Sequence, residues 1–296
     1  MSERINYGGQ AVIEGVMMRG KRQVAVAVRE PGGKIRLRTE PLNPTLYAGP
    51  LASIPVLRGV TMLWDTLGLG MRALMWSADV AAGEDEVGFE GPAGWIAGLL
   101  GVGFGVGLFM VLPSFLVAKL LPSVSGLVAN VLEGLVRFGV VLGYIWIVGR
   151  LPDVRRVFAY HGAEHKTINA YEAGDPLTVE SVRNHSTAHP RCGTAFLLTV
   201  VVVSILVLAP LGRPPLVWRL VSRVLVIPLI AGISYEFIRF SARHAERPWL
   251  NWLIRPSLEL QHMTTSEPED EMVEVAIQAL LTVLEAEAPT KSQSPV

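Results

Sequence analysis

Tyr160-His161-Gly162-Ala163-Glu164-His165 places two imidazoles four residues apart, with a carboxylate beside the second. On a helix, positions i and i+4 share one face, so both rings can reach one ion. His-x-x-Glu-His is the spacing of the inverted zinc-protease signature, in which the histidines bind Zn²⁺ and the glutamate activates a water. Zinc lowers the pKa of that water to about 7. The plainer reading is two buried histidines hydrogen-bonded to their neighbours, and five residues do not decide between the two.

A catalytic zinc usually takes a third protein ligand. His189 and Cys192 lie in the turn His189-Pro190-Arg191-Cys192-Gly193, Glu172 lies two turns beyond His165, and Glu236 lies in Ser234-Tyr235-Glu236-Phe237. His189 and Glu236 rank above Cys192 and Glu172. Glu236 can equally pair with Arg239 on its own helix. His-x-x-Cys also permits thiol chemistry with Cys192 as nucleophile, although a lone cysteine is more often inert. Glu133 and Arg137 sit four apart inside a long apolar segment. Charges there are costly and face partners or water. Mutual neutralisation is the simpler expectation, and a transport pathway is the sharper one.

These residues need elements to position them. Pro152 can open a helix, and Gly174 followed by Pro176 can close it. Between them Val154, Val157, Phe158, His161, His165, Ile168 and Glu172 form one stripe, so the histidines should be buried with the apolar residues. Burial favours the neutral imidazole, the form that binds metal. Four segments approach the roughly 20 apolar residues that a spanning helix needs: about Trp95–Leu120, Gly126–Val148, Thr194–Leu211 (the shortest) and Val217–Phe240. Gly98, Gly101, Gly103, Gly105 and Gly107 in the first invite close helix packing.

Around this core, residues 1–42 read as a glycine-rich β unit. Val24–Arg29 and Lys34–Thr39 alternate about Pro31-Gly32-Gly33, a hairpin signal. The run Gly8 to Gly20 makes tight turns, or else brings Glu14 and Arg19 to a site elsewhere. Residues 43–93 have the amphipathic spacing of helices lying on a membrane surface. Residues 94–265 form the four-span domain, with the His-containing loop at 150–193. Residues 266–296 give a soluble helix ending before Pro289, then a disordered tail. His244, Glu246, Arg247, Trp249 and Trp252 resemble interface anchors.

Half of the chain is apolar and 18% is charged, which is too greasy for an ordinary soluble domain. Lys plus Arg equals Asp plus Glu at 26 each, so no global field suggests nucleic acid as a partner. Cys192 is the only cysteine, so no internal disulfide forms. No apolar run follows Met1–Arg4, so no cleavable signal peptide is expected. Ten Lys or Arg precede the first span, six lie in 150–193 and five follow from Arg239, against four in the two other connections. Both termini and the His loop should therefore face the cytoplasm.

Gly8 to Gly20, Tyr160 to Lys166, His189 to Thr194 and Thr264-Thr265-Ser266-Glu267-Pro268 together resemble the bacterial YqhQ-like membrane family, a domain of unknown function described as a metal-dependent enzyme. The resemblance runs over almost the whole chain. It implies a bacterial inner-membrane protein whose four stretches act as one site, and it leaves the substrate open.

The expectation is a mainly α, polytopic membrane protein in the lipid bilayer, with about four transmembrane helices and an N-terminal β-hairpin unit. Its function would be that of a metal-dependent hydrolase. Zn²⁺ would sit on His161 and His165, completed by His189 or Glu236, with Glu164 as general base. Two other readings stand beside it. One is a non-catalytic scaffold or adaptor with a structural polar or metal site. The other is a small transporter, which with four spans would have to act as a homo-oligomer.

Overall fold

The computed structural model describes residues 7–44, 53–83, 92–190, 192–212, 214–243 and 248–288. The glycine-punctuated N-terminal run folds as β1 (Gly8–Val12) and β2 (Gly15–Arg19), followed by β3 (Gln23–Arg29) and β4 (Ile35–Pro41). They form one antiparallel sheet in the order β1-β2-β3-β4. The expected hairpin is thus half of a four-stranded meander. Its turn is closed by Gly33 at φ 84°, a backbone that glycine adopts without strain.

Strand β3 alternates valine and alanine, and alternate residues face opposite sides of a sheet. Val24, Val26 and Val28 pack with Val12 and Met17 against α1 (Leu57–Ala82), through Leu69, Ala73 and Val80. Ala25 and Ala27 join Val16 and Met18 on the other face, against α5 (Pro152–Ala173) and α11 (Asp270–Glu287). Covering both faces explains why β2 and β3 are buried almost without a break. The C-terminal helix is therefore part of the core under the sheet, and residues 289–296 lie outside the described residues.

Two antiparallel runs follow α1. The first is α2 (Pro92–Val106), a π turn at Gly107–Val111 and α3 (Leu112–Leu120). The second is α4 (Gly126–Val148), which returns after the 121–125 turn. After α5 and the short α6 (Val179–Val182) come α7 (Thr194–Leu208), α8 (Leu216–Leu225), α9 (Ile227–Arg243) and α10 (Pro248–Gln261). Among the described residues, three stretches are long and apolar enough to cross a membrane: Gly94–Leu120, Gly126–Val148 and Val217–Ser241. Phe196–Leu211 is apolar but shorter. Asn130 Nδ2 donates to the Leu208 carbonyl at 2.8 Å, which ties the end of α7 to the start of α4. The loop from α4 to α7, with α5 in it, therefore lies at the opposite end of the bundle from the 121–125 turn.

α1 links the two parts. Its C-terminal half carries the sheet, while at Gly59 it meets Gly232 of α9 so closely that an added Cβ would lie 3.0 Å from the Gly232 Cα. Trp64 and Leu67 on its outer side are 80% and 69% exposed.

Candidate functional site

Helix α5 begins at Pro152 and ends at Gly174 in the left-handed conformation, φ 81°. Burial differs from the expected stripe. From Ala159 to Ala170 nearly every face is covered, because strands, α11 and two loops surround the helix. Val154 and Val157 before this stretch are half-buried, and Glu172 after it is exposed.

Each loop is fastened to α5. On one side Lys166 Nζ donates to the Arg183 carbonyl at 2.7 Å and Asn169 Nδ2 to the Ser186 carbonyl at 2.8 Å. On the other, the Ser266 amide donates to the Phe158 carbonyl at 2.9 Å, and Glu267 pairs with Lys166 at 2.7 Å. Gly162 lies beneath this second strap, where a Cβ would stand 2.1 Å from the Ser266 carbonyl oxygen. The Gln261 amide closes the arrangement: it accepts from the His189 amide at 2.9 Å and donates to the His189 carbonyl at 2.8 Å.

The fastening sets both rings. His161 Nδ1 is 2.9 Å from the Thr264 carbonyl, and His165 Nδ1 is 2.5 Å from the Thr187 carbonyl. A carbonyl only accepts, so each Nδ1 carries a proton, which in the neutral imidazole leaves the lone pair on Nε2. The rings lie 4.4 Å apart between centroids. His161 Nε2 is 3.1 Å from Cys192 Sγ, whereas the buried His165 Nε2 has no hydrogen-bond partner among the described residues. One ligand atom each from His161, His165 and Cys192 lie within 4.8 Å of one another. Metal-binding histidines are commonly oriented in this way, by a backbone carbonyl on the other ring nitrogen.

Glu164 stands beside this group and is buried. Its Oε2 is 3.9 Å from His161 Nε2 and 3.8 Å from His165 Nε2. Burial pushes its carboxyl above the usual range, while His161, His189 and the backbone amide of Gly9 in β1 pull it back. An added Cβ on Gly9 would lie 2.8 Å from Glu164 Cγ, so the glycine run lets a strand rest directly on this side chain.

The other expected site residues fall into place around these. The His189 ring lies 5.7 Å from that of His165, and its buried Nε2, 3.5 Å from the carboxylate of Glu172, has no hydrogen-bond partner among the described residues. Burial lowers the His189 pKa, against the pull of Glu164. Glu236 is not with them. It pairs with Arg58, Nε to Oε1 at 2.6 Å, and accepts from the Val56 amide at 3.3 Å, because α1 folds back across α9 there. The third donor beside the two histidines is thus Cys192, ranked lower from sequence. Glu14 holds the β1–β2 turn to α5: Arg156 bonds it at 2.6 Å through both Nε and Nη2, and Tyr160 donates at 3.2 Å. Arg19 shares the sheet face of Met17 and reaches Thr66 of α1 at 3.0 Å, away from the histidines. His185 pairs with Asp175 at 3.1 Å and His262 is exposed. His244, Glu246 and Arg247 lie outside the described residues, as do the side chains of Trp249 and Trp252.

Glu133 and Arg137 pair at 3.0 Å, but not alone. Arg223 of α8 bonds Glu133 Oε1 at 3.1 Å, Ser114 donates to the same oxygen at 2.6 Å, and Arg137 also reaches the Phe109 carbonyl in the π turn at 2.9 Å. The group fastens α3, α4, α7 and α8 together, with Arg137 Nη1 on Ser204 at 2.8 Å. Arg137 is the central residue of α4 (Gly126–Val148), so the group sits about midway along the bundle.

Sequence reasoning missed Gln261, the carbonyls of Thr187 and Thr264, and the Gly9 amide. The runs Thr264–Pro268 and Gly8–Gly20 carried a signal, as motifs, without these atoms being given a role.

Residues 54–286 match a family described as "Protein of unknown function (DUF1385)". The Uncharacterized protein YqhQ of Bacillus subtilis (strain 168) is 36% identical over 296 residues, covering 95% of this chain and 93% of the relative. No solved structure matches.

Proposed function

The chain belongs to the DUF1385 family, and from that premise we propose that it is an integral membrane, metal-dependent hydrolase centred on His161, His165 and Cys192. The observation that carries the reading is the shared orientation of the two rings: each Nδ1 donates to a backbone carbonyl, and one ligand atom each from His161, His165 and Cys192 lie within 4.8 Å of one another. A set of two imidazole nitrogens and one sulfur suits Zn²⁺. Bound there, zinc would supply Lewis acidity and a water acidified toward neutral pH.

The protein's own part is positional. Thr264 and Thr187 hold the rings, and the Gly9 amide holds Glu164. Glu164 Oε2, within 4 Å of both Nε2 atoms, accepts a proton from a nucleophile held between the rings. The site faces the cytoplasm by the distribution of basic residues, with α2–α3, α4, α7 and α8–α9 as the four crossings.

A second reading is favoured by one observation, the buried His189 Nε2, which has no hydrogen-bond partner among the described residues. With His189 as a fourth ligand the site would be closed and structural. Metal analysis on purified Glu164→Gln and His161→Ala, beside growth of a strain carrying each variant, separates the two. The hydrolase reading expects Glu164→Gln to keep stoichiometric metal and lose cellular function. A functional Glu164→Gln with an unfolded His161→Ala supports the closed site.

A further inference from the structure

We infer that the outer face of α1 lies among the lipids of the leaflet on the histidine side, so that the bilayer itself supports the strand that rests on Glu164. Leu57, Val60, Trp64, Leu67, Met71 and Leu74 follow one another at steps of three and four, which puts them on one stripe of the helix. No charged residue falls on this stripe. Arg58, Asp65, Arg72 and Asp79 recur every seven residues along its flank, where Arg58 pairs with Glu236 and Arg72 reaches Glu40 at 3.4 Å. Leu69, Ala73 and Val80, on the other side of the helix, pack on the sheet. Leu57, Trp64, Leu67 and Leu74 of the stripe are exposed. A contiguous apolar face of this kind marks an interaction surface.

Two contacts point to what covers it. Near the start of α1, an added Cβ on Gly59 would lie 2.9 Å from Tyr235 Cβ and 3.0 Å from Gly232 Cα. Gly232 is nine residues, or about 13 Å, inside the apolar stretch Val217–Ser241. Further along, Met71 Cε would lie 3.1 Å from a Cβ on Gly98. Gly98 is four residues, or about 6 Å, inside Gly94–Leu120. Ser241 and Gly94 are the ends of these stretches away from the 121–125 turn. Trp64 and Leu67 lie between the two contacts on the same helix, so their level falls within the apolar stretches themselves. At that level the medium beside the protein is lipid, and next to Gly98 the side chains of Trp95 and Leu99 are exposed to it too. α1 also holds β1 and its turn. The Ile13 amide donates to Ser77 Oγ at 3.1 Å, and Gly70 leaves room for Gln10, whose Oε1 would stand 2.4 Å from an added Cβ. Gly9, beside Gln10, is the residue whose amide bonds Glu164. The height of α1 in the leaflet therefore sets where β1 meets the carboxylate. None of these contacts depends on a metal at the histidines.

The test uses full-length protein in vesicles of phosphatidylethanolamine and phosphatidylglycerol, doped with a phospholipid carrying a diazirine in its acyl chain. After irradiation, adducts are mapped by peptide mass spectrometry, and amide exchange across β1 is followed on samples kept dark. Trp64, Leu67 and Leu74 should take adducts at a yield comparable to Leu99. Leu37 should take several-fold fewer: it is 48% exposed but pairs with Ala27, on the sheet face away from α1. Leu67→Trp, which keeps the stripe apolar, should retain both the adducts and the slow exchange of β1. Trp64→Gln combined with Leu67→Gln should cut the adducts on Met71 and Leu74 several-fold and speed exchange at Gly9. Adducts on wild-type α1 as rare as those on Leu37, whether the stripe faces water or a second copy of the chain, would overturn the lipid contact. Adducts lost in the double variant with β1 exchange unchanged would overturn the link to Glu164.

Discussion

His161 Nε2 lies 3.1 Å from Cys192 Sγ, although the two residues are 31 positions apart. The contact depends on the loop after α5 being drawn back along that helix by Lys166 and Asn169. It also depends on the strap at 264–267, which turns the His161 ring so that its lone pair meets the sulfur.

Glu164 is assigned proton transfer, not metal binding. Glu164→Gln keeps the shape of the side chain and removes its basicity. Metal content should stay that of wild type while complementation of a deletion strain fails. Loss of metal in this variant would place Glu164 among the ligands instead.

Gly162→Ala tests the strap. Alanine favours a helix over glycine by about 1 kcal/mol. Here the added methyl meets the Ser266 carbonyl, which would be 2.1 Å away. Overpacking of this kind costs about 1–3 kcal/mol. Net destabilisation in thermal unfolding is expected, together with weaker metal retention, because the displaced segment carries the Thr264 carbonyl. A stabilised Gly162→Ala would show that the strap does not press on α5.

Much of this architecture is readable in the sequence. Pro152 and Gly174 bound α5 as their types require, Pro31-Gly32-Gly33 makes its turn, and the long apolar helices fall where composition puts them. The ranking of donors is not readable, because it depends on which loop returns to α5. Cys192 is delivered by hydrogen bonds from Lys166 and Asn169 to backbone carbonyls, and backbone acceptors leave no trace in residue type. Glu236 is removed from the site by Arg58, some 180 residues earlier, through a glycine contact between α1 and α9. The burial of α5 on all sides comes from α11 and the sheet, so a single-stripe pattern understates it.

Glu14 gives a pH signature. Its hydrogen bonds to Arg156 hold its carboxyl below the usual range. A depressed carboxyl stabilises the fold above the unfolded value of about 4.3, and the contribution is lost as pH falls through the lower folded value. Arg156 is half exposed, so the pair is worth about 1 kcal/mol or less. Glu14→Gln should lower the unfolding midpoint at pH 7 by about 2–4 °C. The gap should close as the pH falls through the lowered folded-state value of Glu14. A gap independent of pH would contradict the assignment.

Glu133→Gln would leave Arg137 and Arg223 buried with no carboxylate between them among the described residues. Breaking a buried ion pair from one side costs about 3–5 kcal/mol. The loss, read by unfolding in detergent or bicelles, should exceed that of Glu236→Gln, whose pair with Arg58 is partly exposed. If stability is kept but ion or solute flux through vesicles is abolished, the group serves transport rather than packing.

The most direct measurement is the ultraviolet–visible spectrum of the purified, full-length protein loaded with Co²⁺. A site built from His161, His165 and Cys192 gives tetrahedral d–d bands with a thiolate-to-cobalt charge-transfer band. That charge-transfer band should vanish in Cys192→Ser, both sets of bands should weaken in His161→Ala and His165→Ala, and neither should change in Glu236→Gln. A folded protein that takes up no cobalt, or a spectrum unaltered by Cys192→Ser, would contradict the account.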